Sequence, residues 1–417
     1  MSHIEHKIKK LMAMDQNFGL SGVKSIPSEN SANSEETCAA FIAQAVHCDA
    51  HLAEAYTKSQ TTDPLSEIRV LIHRGKMEEA HQLIQQYKEK LGSSHIFFSE
   101  LLQEEARLFF FDGNYEQGLK LTLQTLEFNP PPISRLALME MQSLALFELG
   151  EFSAALNILN ETQALAKLFP FCVSSHYLKA LEIKLKARIY NVDVAQKMLN
   201  EAMISALKEQ NFNYDALSTL IRAQIDLLIL SQQDFSQWAL AEYWIASSMG
   251  EDLYIGLALV HLYCSKSYKN NDHFTKQLFN FERRFKRIQR LIQEINAGTH
   301  VIQMDPLGEK ISSPFNPLEE PQALLFKSLR ILILLNKNNL QYKIFDLQDH
   351  IPKALITLAN NPCTKEEFFK LIWEQGKYVP HLHDGVIRNL VFRIRKKTGL
   401  SMQFEKGILS ISGLLVL

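Results

Sequence analysis

Apolar residues recur at helical spacing through most of the chain between Cys38 and Gly298, which predicts a run of amphipathic α-helices. Within that run one pattern repeats: an apolar helix, a tight turn, then an amphipathic helix. The clearest turns contain Gly75, Gly113 and Gly150, which are 38 and 37 residues apart. We expect each glycine to adopt the left-handed conformation that ends the first helix of a pair.

Two further positions recur at fixed distances after each turn glycine. A large residue lies two positions later, at Met77, Tyr115 and Phe152. A small residue lies five positions later, at Ala80, Gly118 and Ala155. We expect the large residue to pack back on its helix pair and the small one to let two helices approach closely. Weaker copies of the turn are found at 190–195 and 233–239.

These turns resemble those of tetratricopeptide repeats, although their spacing is longer than the usual repeat of about 34 residues. The resemblance implies four to six helix pairs stacked as a right-handed α-solenoid. Such solenoids present a groove that binds peptides or proteins, so a peptide or protein ligand, or self-association into a homodimer, is expected. An irregular helical domain is the alternative.

Beyond Ile351 the pattern predicts three short helices followed by a hairpin. The first helix ends at the break from Asn360 to Pro362, and Thr364 is placed to cap the second. One face of the second helix is apolar and consists of Phe368, Leu371 and Ile372. Asp384 is expected to cap the third helix, which Gly399 is placed to stop.

The third helix combines an apolar stripe with a polar, basic side. Its stripe consists of Ile387, Leu390, Val391 and Ile394. The opposite side presents Arg388, Asn389, Phe392, Arg393 and Lys396, flanked by Arg395 and Lys397. Two short strands, at 402–405 and 408–412, follow this helix and enclose Lys406.

Charge is distributed unevenly along the chain. Residues 351–417 contain ten Lys or Arg against five Asp or Glu, whereas the whole chain has a net charge of −2. Such asymmetry indicates a polyanionic partner for one end. A small basic helical bundle with a solvated face is the alternative.

The residue types on the third helix suit duplex DNA. Arginine can pair with guanine and asparagine with adenine in the major groove, while lysine and arginine hold phosphates. Contacts with base edges are therefore expected from Arg388, Asn389 and Arg393, with Phe392 on the same face. Contacts with phosphates are expected from Lys396, Lys397 and Lys406.

The C-terminal region resembles the effector domain of OmpR/PhoB-type transcription regulators. The matching positions are 354–362, 364–373, Asp384, Ile387, Val391, 393–397 and Gly399. The resemblance implies a winged helix-turn-helix domain, with 384–397 as recognition helix and 402–413 as wing. In the wing, Leu409, Ser410 and Ile411 replace a glycine, a tyrosine and an arginine that the family usually has. A protein contact through this apolar wing is therefore an alternative to DNA binding.

We divide the chain into a polar N-terminal segment (1–37), a tetratricopeptide-like helical repeat domain (38–298), a linker or irregular connection (299–339) and a winged-helix domain (340–417). The predicted fold class is mainly α, an α-solenoid followed by a small α+β domain. An amphipathic helix is predicted from Phe279 to Ile295. This helix caps the repeats or, alternatively, contacts phosphates through Arg283, Arg284, Lys286, Arg287 and Arg290.

Composition and motifs limit the other function classes. No apolar run reaches the roughly 18 residues of a membrane span, and the first residues lack an apolar signal core. The five cysteines show no CxxC spacing, which is typical of reduced cytoplasmic thiols; a Cys38–Cys48 redox pair is the alternative. Motifs for nucleotide binding or hydrolysis do not occur.

His381 and His383 with Asp384 come closest to a metal cluster, but they lack further ligands at suitable spacing. We interpret them as turn histidines and expect no metal, no cofactor and no enzymatic activity. The sequence thus favours a bacterial cytoplasmic transcription regulator that binds duplex DNA and carries a protein-binding helical domain. A protein–protein interaction scaffold whose winged helix does not bind DNA is the alternative.

Overall fold

The computed structural model describes residues 64–91, 98–130, 132–168, 175–208, 214–265, 267–268, 271–298, 321, 323–326, 329, 331–336, 341–347, 350–360, 362–373, 378–400, 402–405, 408–411 and 414–417. The predicted polar segment 1–37, Cys38, Cys48, Cys172 and Lys406 lie outside these residues. The described part is mainly helical, with a few short strands towards the C-terminus. It divides into two compact units.

The first unit takes the described residues up to Phe235 and those from Ile245 to Gly298. Its helices are α1 (Pro64–His73), α2 (Met77–Leu91), α3 (Phe98–Phe111), α4 (Tyr115–Glu127), α5 (Pro132–Glu148), α6 (Phe152–Ala166), α7 (Ser175–Ile189), α8 (Val192–Lys208), α9 (Tyr214–Leu230), the end of α10 (Ser236–Met249), α11 (Asp252–Cys264), α12 (Asp272–Glu282) and α13 (Lys286–Asn296). Consecutive helices pack together from α1 to α9 and from α11 to α13, and so do α1 with α3, α3 with α5 and α7 with α9. This is a helical repeat-like architecture.

The turn chemistry predicted for the helix pairs is confirmed. Gly75, Gly113 and Gly150 have φ of +69°, +77° and +82°, the left-handed region that glycine adopts without steric cost. Tyr115 packs on Phe110 with ring centroids 6.1 Å apart. A Cβ on Gly118 would lie 3.0 Å from the Phe110 ring, so a small residue is required where the two helices meet.

The predicted helix from Phe279 to Ile295 is interrupted, which corrects the sequence interpretation. α12 ends at Glu282, and Phe285 takes an extended conformation before α13 begins. Phe285 is 1% exposed, and a Cβ built on Gly75 would lie 2.3 Å from its ring. Burial of Phe285 against the α1–α2 turn therefore accompanies the break in the helix.

Four of the basic residues around α13 pair with carboxylates of the same unit. Arg284 donates to Asp252 at 2.6 Å and to the Arg74 carbonyl at 2.9 Å. The other pairs are Lys286 with Asp112, Arg287 with Glu148, and Arg290 with Glu294. This pairing favours a packing role over the alternative role in phosphate contact.

The second unit takes Ser236–Trp244 and the described residues from Pro321 onward. Its further elements are β1 (Ala323–Phe326), β2 (Ile331–Asn336), β3 (Gln341–Asp346), α14 (Ile351–Asn360), β4 (Cys363–Thr364), α15 (Lys365–Trp373), α16 (Pro380–Thr398), β5 (Met402–Glu405), β6 (Ile408–Ile411) and β7 (Leu414–Val416). One sheet has the order β3-β2-β1-β7, with β7 parallel to β1, and the other the order β4-β6-β5.

One core joins the sheets and helices of this unit. Apolar side chains from β1, α14, α15, α16, β6 and β7 contribute to it, among them Leu325, Leu355, Phe368, Leu390, Leu409 and Leu414. Leu371 was predicted on the buried face of α15 but is 52% exposed, whereas its neighbour Phe369 is 2% exposed. The face is rotated because Phe369 stacks on Trp373 and on His383.

No helix within the ranges described above combines the length and the apolar character needed to cross a membrane.

Candidate nucleic-acid interface

The candidate interface is built on α16, which begins four residues earlier than the sequence indicated. Pro380 stands in its first turn and Val379 at its N-cap, a position that proline suits because its missing N–H has no helical partner there. The prediction that Asp384 caps this helix is therefore wrong. The predicted stop is confirmed, since Gly399 ends the helix at φ +72° and donates to the Arg395 carbonyl at 2.8 Å.

The two faces of α16 separate as the sequence predicted. Ile387, Leu390 and Ile394 are buried in the core of the second unit. The opposite side is exposed and presents Arg388, Asn389, Phe392, Arg393, Lys396 and Lys397. Phe392 is 62% exposed. All six described residues of the predicted DNA-contacting set thus share the solvent-facing side of one helix.

The start of α15 is fixed by a capping box. The Thr364 hydroxyl accepts a hydrogen bond from the Glu367 backbone N–H at 3.2 Å, and Glu367 accepts from the Thr364 N–H at 2.8 Å. The bond from the Thr364 backbone, followed by that from its hydroxyl, holds the pKa of Glu367 below its ordinary value. This reciprocal pair satisfies two N–H groups at the helix start and confirms the role predicted for Thr364.

Lys365 links α15 to both α16 and the hairpin. Its Nζ lies 2.8 Å from Asp384 Oδ2 and 4.8 Å from the centre of the Phe404 ring on β5. Tyr378 donates its hydroxyl hydrogen to the same Asp384 carboxylate. The bonds from Lys365 and Tyr378 lower the pKa of Asp384, while loss of hydration and the bond to Asp384 raise the pKa of Tyr378 to about 12.

His383 helps to set the entry into α16. Its Nδ1 accepts a hydrogen bond from the Val379 N–H at 2.9 Å, and its ring stacks on Phe369 with centroids 4.0 Å apart. Its neighbour His381 is exposed. Within the described ranges no three His, Cys, Asp or Glu residues lie together in a group that could hold a metal ion.

The hairpin β5–β6 follows α16 closely, and Arg395 donates to the Met402 carbonyl at its start. Leu409, one of the apolar residues that suggested a protein contact, is 3% exposed and belongs to the core. Ile408 and Phe404 are 44% and 48% exposed. Some apolar side chains of the hairpin therefore belong to the core, whereas others are exposed on its surface.

Sequence reasoning did not identify the contacts of Lys365 with Asp384 and with the Phe404 ring. The contact between Lys365 and Asp384 could have been predicted from the sequence, because a cation immediately after a helix cap can reach an acidic residue in the next helix. The position of Phe404 depends on how β5 pairs with β6, where Phe404 is opposite Leu409. Alternation along β5 places Phe404 on the same face as Met402, yet Met402 is 1% exposed and Phe404 is 48% exposed. The exposure of Phe404 therefore does not follow from alternation along the strand.

No protein-family model, curated protein or solved structure matches this chain.

Proposed function

We propose that the second unit is a winged helix that binds duplex DNA with α16 as its recognition helix. The observation that carries the proposal is the exposed side of α16, where Arg388, Asn389 and Arg393 lie opposite the buried stripe. The order α14, β4, α15, α16 and the β5–β6 hairpin supports it, because a helix-turn-helix with a following hairpin has this order. Fork-shaped arginine donors and an asparagine amide are suited to reading guanine and adenine edges.

The proposed division of labour separates base contacts from backbone contacts. Arg388, Asn389 and Arg393 read base edges, whereas Lys396 and Lys397, nearer the C-terminal end of the helix, hold phosphates. The second helix of a helix-turn-helix lies in the major groove, so its exposed side meets the base edges. Lys406 is proposed as a further phosphate contact on the basis of its charge and its place between β5 and β6.

In this proposal the chain is a bacterial cytoplasmic transcription regulator. Its first unit is a tetratricopeptide-like solenoid that binds a peptide or protein, or associates with a second copy of itself. The support is the run of helix pairs with glycine-ended turns at Gly75, Gly113 and Gly150, because stacked helix pairs present extended binding surfaces.

The decisive experiment measures binding of the full chain to a random pool of duplex DNA across a salt series. A sequence-specific regulator enriches one site, and its affinity falls steeply with salt because phosphate contacts release counterions. Arg388→Ala and Arg393→Ala should each cost about 1–3 kcal/mol on that site and relax preference at one base position. Enrichment of no sequence, with no DNA retained at low salt, would contradict the proposal.

A matched variant separates base reading from charge. Lys397→Ala removes one positive charge from the same helix, so it should weaken binding to all sequences equally and reduce the salt slope by about one. An arginine variant with the same uniform effect would instead show that this arginine contacts only the backbone of the DNA.

The second candidate function is a protein-interaction scaffold whose winged helix does not bind DNA. It is favoured by the large apolar side chains that the second unit exposes, namely Leu371, Leu382, Val386, Phe392, Phe404 and Ile408. Exposed apolar groups of this size are enriched at protein interfaces. A partner that is retained by the wild type and lost in Leu371→Ser and Leu382→Ser, together with no DNA binding, would establish this function.

A further inference from the structure

Phe392 stands out among the large aromatic residues of the second unit. Phe368 and Phe369 are buried to within 2% of their surface, whereas Phe392 is 62% exposed. It lies on α16 four residues after Arg388, three after Asn389 and four before Lys396. A large apolar ring is thus placed among the polar and basic side chains of Arg388, Asn389 and Lys396.

If this face of α16 contacts DNA, the chemistry of the major groove limits which group the Phe392 ring can contact. The major groove presents hydrogen-bonding groups for every base pair, and its distinctive apolar group is the 5-methyl of thymine. A phenyl ring held against a donor or acceptor would leave that group without a partner, which is costly when the groove is desolvated. A thymine methyl has no such requirement.

We propose that Phe392 is a specificity-determining residue that packs on the 5-methyl group of one thymine in the target site. This inference rests on the proposed DNA-binding function of α16. An α-helix rises about 1.5 Å per residue, so Phe392 lies roughly 6 Å along the axis from Arg388. Successive bases along a strand are about 3.4 Å apart. The thymine is therefore one or two base steps from the base that Arg388 or Asn389 reads.

The proposal is tested with the full chain and the site enriched from random duplex DNA. Each thymine in that site is replaced singly by deoxyuridine, which removes the methyl group and keeps every hydrogen-bonding group. One such replacement should weaken wild-type binding about fourfold, the value of one buried methyl group. Phe392→Ala should bind the unmodified site less tightly and show no further loss at that same position.

Two controls connect the loss to the ring and the methyl group. Phe392→Leu keeps an apolar side chain and should retain part of the sensitivity to deoxyuridine. Lys396→Ala should weaken binding to every duplex equally and leave the fourfold sensitivity intact. At the sensitive position, 5-methylcytosine should be bound more tightly than cytosine by the wild type and equally by Phe392→Ala.

Three results would overturn the inference in different ways. A wild type that binds its site equally well with every thymine replaced shows that no methyl group is read, while the DNA-binding function stands. Equal losses in the wild type and Phe392→Ala assign the methyl contact to another residue. If the wild type binds no DNA, the proposed function itself is wrong, and Phe392 is then a candidate contact for a protein partner.

Discussion

The segment around α13 and the helix α16 share a pattern, an apolar stripe combined with several arginines and lysines. The residues that contact their basic side chains are different. Near α13, Arg284 and Arg287 pair with Asp252 and Glu148, which come from other helices of the first unit. On α16, the single carboxylate Asp384 is bonded to Lys365 and Tyr378. The basic side chains that follow it on α16 are exposed.

The comparison teaches that a basic amphipathic helix does not define its own role. Acidic residues from distant helices contact the cations near α13, whereas the basic side chains that follow Asp384 on α16 are exposed. Asp112 immediately precedes Gly113, and Glu148, the last residue of α5, lies two residues before Gly150. Two of the carboxylates that pair with the basic segment thus lie at or beside the turns of the helix pairs.

The largest effect is expected where the α13 segment meets the first turn. In Gly75→Ala the new Cβ must adopt a left-handed φ and would also lie 2.3 Å from the Phe285 ring. We expect the free energy of unfolding to fall by about 3 kcal/mol, because the left-handed strain and the overpacking add together. The shift of the urea midpoint, followed by the helical circular-dichroism signal, measures it.

Gly150→Ala is the matched control for that variant. Gly150 has the same left-handed backbone, with φ +82°, but a Cβ there meets nothing within 4 Å, so only the strain of about 1 kcal/mol should remain. Equal shifts for the two variants would show that Phe285 does not pack against the Gly75 turn in solution.

A smaller loss is expected from removing the carboxylate that two arginines share. Asp252 lies 3.0 Å from Arg74 and 2.6 Å from Arg284, and its side chain is 8% exposed. Asp252→Asn keeps the shape of the side chain but removes the negative charge that both arginines contact, so we expect the free energy of unfolding to fall by about 2 kcal/mol. Glu294→Gln, which alters the exposed pair with Arg290, should cost no more than about 0.5 kcal/mol. A similar cost for both variants would argue against a packing role for Arg284.

The third prediction compares the two basic helices directly. The Arg287 side chain is 20% exposed, contacts Glu148 at 3.4 Å and lies 5.5 Å from the Tyr115 ring centre. Arg287→Met should lower the free energy of unfolding by about 1 kcal/mol because both contacts are lost. Lys396→Met removes an exposed charge and should change it by less than about 0.5 kcal/mol. Both free energies are measured by urea unfolding. A larger loss for Lys396→Met than for Arg287→Met would contradict the difference inferred between the two helices.

The smallest expected effect is a loss of stability of the second unit at acidic pH. Hydrogen bonds from Lys365 and Tyr378 lower the pKa of Asp384. The ionised carboxylate therefore stabilises the folded second unit at pH values above the ordinary aspartate pKa of about 4. The contribution is lost as the pH falls through the lowered pKa. The protection of the α16 amides against hydrogen exchange, taken relative to the intrinsic exchange rate at each pH, should therefore fall below about pH 4. Asp384→Asn should exchange faster at neutral pH and respond less to acid; an unchanged acid response would assign the effect to other carboxylates.

The sequence was most informative where a residue's role is local. Gly75 and Gly399 were predicted from the backbone conformation that only glycine adopts easily, and Thr364 from the hydrogen bond that a helix start requires. The exposed side of α16 followed from helical periodicity alone. Each of these features depends on a few consecutive residues.

The features that sequence reasoning missed depend on contacts between distant residues. The break at Phe285 could not be predicted, because the apolar spacing continues through it and the Gly75 turn against which it packs is distant in sequence. Glu104 is fully buried in α3 and bonded to Arg69 and Arg107, although a glutamate in a helical pattern is usually exposed. Likewise, the early start of α16 at Pro380 was hidden because Asp384 also satisfies the rule for a helix cap.

The parallel pairing of β7 with β1 has a consequence for the order in which the chain folds. Leu414 pairs with Ala323, so the four-stranded sheet cannot be completed until nearly the whole second unit has been synthesised. Helix pairs in the first unit need only neighbouring segments, and such local contacts form faster than long-range strand pairing. We expect pulse-labelled hydrogen exchange during refolding to protect α3–α6 before β1, and simultaneous protection would contradict this order. During synthesis, the helical unit would then be folded on the ribosome while the proposed DNA-binding unit is still incomplete.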